Sequence, residues 1–109
     1  MNADTAYCVV LTTVATAEQA EDLAKKIVVE KLAACVQVQQ IRSYYLWKGE
    51  ACNEPECLLF IKARKSQYPE LEDFIRKNHA YQIPEIVQLS ITGGFGDYLN
   101  WIDEATSLG

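Results

Sequence analysis

The chain has 109 residues, half of them hydrophobic, and its fifteen acidic and ten basic residues give a formal net charge of -5 at pH 7. This length predicts one packed domain, residues 1–109, and the acidic balance argues against nucleic acid as a partner. The first residues lack a basic run ahead of an apolar core, and no window reaches the ~18 apolar residues that span a bilayer, so we expect a soluble, unprocessed protein without membrane contact.

The first two elements are predicted to be a buried strand and an amphipathic helix. Residues 6–13 form a β-branched apolar run, which is typical of a strand. Thr16 followed by Gln19 has the form of a capping box, and apolar residues then recur at helical spacing as far as Leu32. The pattern predicts a helix over residues 17–32.

The next strand, residues 34–47, carries apolar side chains on both sides of its second half. Tyr44 and Leu46 fall on one face, and Tyr45 and Trp47 fall on the other. A strand of this length overhangs a small sheet, because strands usually have five or six residues. We therefore expect neighbouring subunits to cover the overhang.

A polar segment then separates two strands of a long hairpin. Residues 48–56 contain glycine and proline, and they are predicted to turn the chain into an apolar strand at residues 57–63. Cys52 and Cys57 flank the sequence "NEPE", a position that allows a surface disulfide or a soft-metal contact. The four cysteines show no recognised zinc spacing and form no C-x-x-C pair, and a reducing cytoplasm is the expected setting.

A fourth strand is predicted between two further helices along the sequence. Apolar spacing from Tyr68 onwards predicts a second helix that ends near His79. A proline then biases the chain towards extended geometry, and alternation predicts a strand over residues 87–91. The sequence "TGGFGD" turns again, and Asp97 is predicted to cap a short third helix at residues 98–102.

The predicted order of elements is β-α-β-β-α-β with a trailing helix. This is an α+β chain with the ferredoxin-like arrangement, in which right-handed crossovers place both main helices on one face of an antiparallel sheet. Only a short C-terminal helix is available for the other face. This again predicts that subunits pack against one another through their sheets.

Three blocks, "EKLAACVQV", "SYYLWKGE" and "YQIPEIVQLSITGGFGDYLNW", resemble the CutA divalent-ion tolerance family, and the similarity extends from Ala6 to Asp103. The resemblance implies a ferredoxin-like subunit in a tight homotrimer whose long hairpin reaches across the neighbour. Tyr44, Tyr45 and Trp47 are then the expected interface residues. The family is similar to the PII signalling proteins in fold and trimeric form, which implies a ligand site between subunits.

The copper site of the family's bacterial prototype consists of a cysteine late in the first strand and two adjacent histidines where the second helix ends. The matching positions here are Thr12, Asn78 and His79. A hydroxyl and an amide are poor ligands for soft copper. The resemblance therefore implies at most weak binding of Cu(II) or another divalent cation, with His79 as the metal ligand.

Two interpretations of "KNHAYQIPEI", residues 77–86, remain open. In one, His79 closes the second helix, Tyr81 packs under the trimer and a proline sets the entry of the fourth strand. In the other, His79 and Glu85, with Tyr81 and Gln82, line a cleft between subunits that holds a metal ion or a small anion.

The function that follows from the resemblance is a non-enzymatic homotrimer of divalent-metal tolerance, homeostasis or signalling. A structural or anchoring trimer with no metal role is an alternative. A small acyl phosphate hydrolase on the same fold is another, but it needs a phosphate-binding loop with an arginine before the first helix. The sequence "TTVATAEQ" offers neither glycine nor a cation at that place.

Overall fold

A computed structural model describes residues 6–107, so residues 1–5 and 108–109 of the predicted domain lie outside the described part. The strand order in the sheet is β2-β3-β1-β4, and every neighbouring pair is antiparallel. The chain therefore has the predicted α+β, ferredoxin-like fold with an additional C-terminal helix. Its elements are β1 (Tyr7–Val14), α1 (Ala17–Val29), β2 (Cys35–Trp47), β3 (Glu50–Arg64), α2 (Tyr68–Lys77), β4 (Ile86–Ser90) and α3 (Gly96–Ala105).

The main core lies between the sheet and the helices α1 and α2, which share one face as predicted. Ile27 of α1 and Ile75 of α2 are fully buried against Val10 of β1 and against Leu59 and Ile61 of β3. Each side chain of this kind contributes roughly 1.5–3 kcal/mol of transfer free energy when it is removed from water. The alternation of buried and exposed residues along β1 and β3 follows from this one packed face.

Helix α3 packs on the opposite face of the sheet. The Tyr7 hydroxyl donates to the Asp103 carboxylate at 2.6 Å, and Arg64 Nε donates to Thr106 Oγ1 at 2.9 Å. Tyr7 and Arg64 alternate with core residues along their strands, so they point away from α1 and α2. Helix α3 covers only part of this face, because two apolar side chains of β4, Val87 and Leu89, remain 43% and 50% exposed.

The hairpin of β2 and β3 extends beyond the rest of the sheet. Its register runs from Cys35 opposite Lys62 to Trp47 opposite Glu50, whereas β1 accompanies β3 only as far as Cys57. The hairpin beyond Cys57 is a two-stranded ribbon with no third strand beside it. The overhang predicted from the length of β2 is therefore confirmed.

The predicted turn at residues 48–56 is wrong, because the connection consists of only two residues. Lys48 and Gly49 both have positive φ, 50° and 82°, as the type I′ hairpin turn requires. The polar residues 53–56 are paired with β2 as part of β3. Pro55 lacks a backbone N–H, and this is tolerated where the ribbon has a free edge.

The surface disulfide considered for Cys52 and Cys57 is also wrong. The two residues lie on the same extended strand, five positions apart, which separates their Cα atoms by about 16 Å. A disulfide needs Cα atoms within about 7 Å. All four cysteines of the chain are free thiols, and Cys57 is buried in the core.

Helix α1 ends at Val29 rather than at residue 32. Lys31 adopts a left-handed φ of 58°, which stops the helix. The Leu32 N–H donates to the Ile27 carbonyl at 3.1 Å and the Lys31 N–H donates to the Val28 carbonyl at 3.0 Å, which is the Schellman pattern of helix ends. The apolar spacing continues to residue 32 because Leu32 packs under the helix from this turn.

The two predicted helix caps have different outcomes. Thr16 caps α1 as predicted, since its hydroxyl accepts from the Gln19 N–H at 3.1 Å. Asp97 does not cap α3, because that helix begins at Gly96 and its N-cap position is Phe95. Asp97 lies in the first turn, where a carboxylate interacts favourably with the helix dipole.

Within residues 6–107, no helix is long and apolar enough to cross a membrane.

Replacing Lys31 by glycine should stabilise the fold. Glycine adopts left-handed φ without the Cβ clash that lysine suffers, so we expect Lys31→Gly to raise the free energy of unfolding by roughly 0.5–1 kcal/mol in urea titrations. The Lys31→Ala variant is the control, because it keeps the Cβ clash and loses only the contact of the ammonium group with the Ser107 carbonyl. Equal stabilities of the glycine and alanine variants would contradict backbone strain at this position.

Candidate functional site

A cleft of about 920 Å³ opens between the hairpin ribbon and the segment that precedes β4. We call it the hairpin cleft. One wall is the ribbon and the opposite wall is the segment of residues 80–85. The ribbon contributes aromatic, hydroxyl, thiol and carboxylate side chains: Ser43, Tyr45 and Trp47 from β2, and Cys52, Glu54 and Glu56 from β3.

The loop between α2 and β4 is positioned by its two ends. Asn78 is the C-cap of α2, and its side-chain amide donates to the Phe74 carbonyl at 2.9 Å. At the other end, Pro84 leads into β4, whose first residue Ile86 is paired with Thr12 of β1. The loop must therefore cross from the helical face to the sheet edge, and it passes beneath the overhanging ribbon.

His79 fastens this loop to the end of β1. Its Nε2 atom lies 2.7 Å from the Thr13 carbonyl oxygen, and its Nδ1 atom lies 3.0 Å from the Tyr81 backbone nitrogen. A carbonyl only accepts and a backbone N–H only donates, so this arrangement fits a neutral ring with its proton on Nε2. Both ring nitrogens are thereby used in hydrogen bonds within the chain.

The residues at the three prototype copper positions do not fit a copper centre. Thr12 is fully buried in the core, where its hydroxyl has no hydrogen-bond partner among the described residues. The Asn78 amide is engaged at the helix end, and His79 can coordinate a cation only by giving up a hydrogen bond. Across residues 6–107, no group of three or more histidine, cysteine, aspartate or glutamate side chains is arranged to hold a metal ion.

Two tyrosines donate hydrogen bonds to two glutamates of the ribbon. The Tyr81 hydroxyl donates to Glu56 Oε2 at 2.6 Å, Ser43 donates to Glu56 Oε1 at 2.6 Å, and Tyr45 donates to Glu54. The Tyr81 contact joins the loop to the ribbon. Burial and the Glu56 contact raise the pKa of Tyr81, and the Glu54 hydrogen bond raises the pKa of Tyr45 to about 12.

The hairpin cleft carries negative charge that its own lining does not neutralise. Glu54, Glu56 and Glu85 line it, and no lysine or arginine is among the lining residues in the described part of the chain. The hydroxyl donors supply hydrogen bonds without positive charge. Arg42 lies on the other face of the ribbon, where its guanidinium donates to Asn53 at 2.6 Å. The cleft is therefore suited to cationic ligands rather than to the small anion that the sequence left open.

The cleft contains most of the site residues predicted from sequence. His79 lies just outside the lining. Tyr44 borders the cleft, although it shares with Leu46 the face of the ribbon opposite to Tyr45. Glu54 and Glu56 were not predicted as site residues, because their polar, proline-containing segment resembles a turn; the Lys-Gly pair at residues 48–49 is the one local signal of a tighter hairpin. The structure places these predicted residues in the cleft lining: Tyr44, Tyr45, Trp47, Tyr81, Gln82 and Glu85.

Comparisons with known proteins agree on one family. The family model described as "CutA1 divalent ion tolerance protein" matches residues 8–105. The "Divalent-cation tolerance protein CutA" of Thermus thermophilus is 42% identical over 99 residues, which cover 90% of this chain and 96% of that protein. The chloroplastic "Protein CutA" of Arabidopsis thaliana is 44% identical over 99 residues, 90% of this chain, but the match spans only 54% of the plant protein.

A solved structure shows the same fold. The periplasmic divalent cation tolerance protein CutA from Archaeoglobus fulgidus superposes with a TM-score of 0.91 at 32% identity, covering 93% of this chain and 99% of that one.

The hydrogen bond between Tyr45 and Glu54 should be visible in the titration of the tyrosines. The folded-state pKa of about 12 lies above the usual value of 10, so this contribution to stability is complete below pH 10 and is lost as the pH rises through 12. We expect Tyr45→Phe to remove one tyrosine from the late phase of an absorbance titration at high pH. Tyr68→Phe is the matched control, because Tyr68 also has a pKa of about 12 through Glu72, on α2. Loss of an early-titrating tyrosine in Tyr45→Phe would contradict the hydrogen bond.

Proposed function

This chain belongs to the CutA1 divalent ion tolerance family, and we propose that it acts in divalent-cation tolerance as a non-enzymatic, single-domain homotrimer. The ribbon beyond Cys57 supports the assembly, because the end of β2 carries exposed apolar side chains on both of its faces. Tyr44 and Leu46 are each 75% exposed on one face, and Tyr45 and Trp47 are 40% and 45% exposed on the other. A contiguous apolar surface of this kind is typical of a protein interface.

The trimeric state is supported by the geometry of the overhang and by the family resemblance. A hairpin that reaches onto a different surface of its neighbour makes a heterologous contact, and such contacts form a ring when the rotation between subunits closes. The part of the sheet that α3 leaves uncovered, around Val87 and Leu89, offers further apolar surface for a neighbouring sheet. Both surfaces are costly for a single chain and become buried in a closed assembly.

The ligand site in this proposal is the hairpin cleft. Its walls come from one chain, and a neighbour that packs on the ribbon would close its mouth beside Tyr81, Gln82 and Glu85. A ligand held there would contact the same ribbon that joins the subunits. Signalling of the kind associated with the PII proteins would follow from this coupling between ligand binding and assembly.

Cation binding at His79 is proposed to be weak. A metal at either ring nitrogen must displace the hydrogen bond to Thr13 or the one from Tyr81. A lone imidazole also lacks the closed set of ligands found in structural metal sites. The role of the protein in cation tolerance therefore does not depend on a preformed copper centre.

A reducing compartment such as the cytoplasm is the proposed setting. All four cysteines are free thiols, and long-lived free thiols are typical of compartments in which thioredoxin and glutathione operate.

Removal of Trp47 tests the role of the ribbon in assembly. We expect Trp47→Ala to weaken the trimer at micromolar concentration in sedimentation velocity, because an aromatic side chain at the end of the ribbon loses its contact area with the neighbour. Val29→Ala is the control, since Val29 is 75% exposed but lies at the end of α1. A trimer of unchanged stability in Trp47→Ala would count against the interface.

Calorimetry tests the cation part of the proposal. The demetallated, reduced protein is titrated with Cu(II), Zn(II) and Ni(II) beside His79→Ala. We expect weak binding of Cu(II) that the substitution removes, because copper prefers imidazole most strongly among these ions. Tight binding that survives in His79→Ala would place the metal site elsewhere. The absence of any saturable heat would favour the structural or anchoring trimer.

A further inference from the structure

The hairpin cleft combines aromatic walls with separated carboxylates. Tyr45, Trp47 and Tyr81 supply the rings, and Glu54 and Glu56 supply two of the three carboxylates. Rings attract ammonium groups through their negative faces, and they also pack against methylene groups. The combination selects for a ligand that is both cationic and partly apolar.

The arrangement of the carboxylates does not suit an inorganic ion. A divalent metal needs several oxygens around one point, and no described group of three or more acidic, histidine or cysteine side chains provides this. Glu54 and Glu56 instead accept from different tyrosines, Tyr45 and Tyr81, and are held apart. The negative charge is spread along the ribbon rather than focused.

The spacing along the ribbon fits an extended organic cation. Glu54 and Glu56 are two positions apart on one face of β3, which places their backbones about 7 Å apart. Two amines joined by four methylene groups span roughly 6 Å by ordinary bond lengths. Glu85 stands on the opposite wall and offers a third carboxylate to a third amine.

We propose that the hairpin cleft binds a linear aliphatic di- or polyamine. Its ammonium groups pair with Glu54, Glu56 and Glu85, and its methylene groups lie against Tyr45 and the other rings of the cleft. This inference rests on the proposed function, because it assigns an organic cation to the proposed ligand site. It does not require His79 to leave its hydrogen bonds.

The test is calorimetric titration of the full chain with spermidine at low ionic strength. We expect saturable binding, with affinity roughly tenfold or more weaker in Glu54→Gln and in Glu56→Gln, because each substitution removes a charged hydrogen-bond partner. Glu21→Gln is the matched control, since Glu21 pairs with Lys25 on the surface of α1 and should leave the affinity unchanged. Glu85→Gln serves as a further variant, because this exposed side chain can be changed without disturbing the ribbon.

Three results would overturn the proposal. They are no saturable heat, an affinity no higher than that for Mg²⁺ at equal ionic strength, and equal weakening in Glu21→Gln, which would indicate general attraction to an acidic surface. Sedimentation of the same samples separates this outcome from failure of the proposed function. A trimer that does not bind spermidine overturns only the polyamine assignment. Spermidine binding by a monomer contradicts the proposed assembly but supports the assignment of the cleft.

Discussion

The antiparallel ladder between β2 and β3 is the feature on which the rest of the structure depends. It uses all thirteen residues of β2, while β1 pairs with β3 only up to Cys57. From Cys57 towards Arg64, the ladder forms one side of the core through residues such as Leu59 and Ile61. From Cys57 towards the turn, the same ladder forms the ribbon and one wall of the hairpin cleft. A shift of the register by one residue would exchange the two faces and disrupt both regions together.

The fold was predictable because its elements bury one face each, and burial leaves a period in the sequence. The predictions of element boundaries were wrong where a backbone conformation, or a strand outside the core, determines the structure instead of burial. Lys31 and Lys48 adopt positive φ, and a lysine gives no sequence signal of that conformation. Residues 53–56 are polar because both faces of the ribbon lie outside the core, so their composition resembles that of a turn.

Of the two walls of the hairpin cleft, the sequence predicted mainly the one formed by residues 80–85. Tyr81 and Glu85 stand close together beside a proline, so a local pattern indicated them. Glu56 lies 25 positions from Tyr81, and only the register of the hairpin brings the two together. The sequence left His79 with two roles, closing α2 or lining the cleft. Its ring nitrogens instead bond to Thr13 and Tyr81, a role in fastening the loop that no local pattern indicated.

The two-residue turn at Lys48 and Gly49 has a consequence for the order in which the chain folds. It makes β2 and β3 neighbours in sequence, so their ladder can close with little loss of loop entropy. The pairing of β1 with β4 instead joins Cys8 to Ser90, across most of the chain. The hairpin is thus suited to form before the sheet is complete, and β4 to add last. A nascent chain would therefore expose the apolar side chains of the ribbon before it has finished its own core.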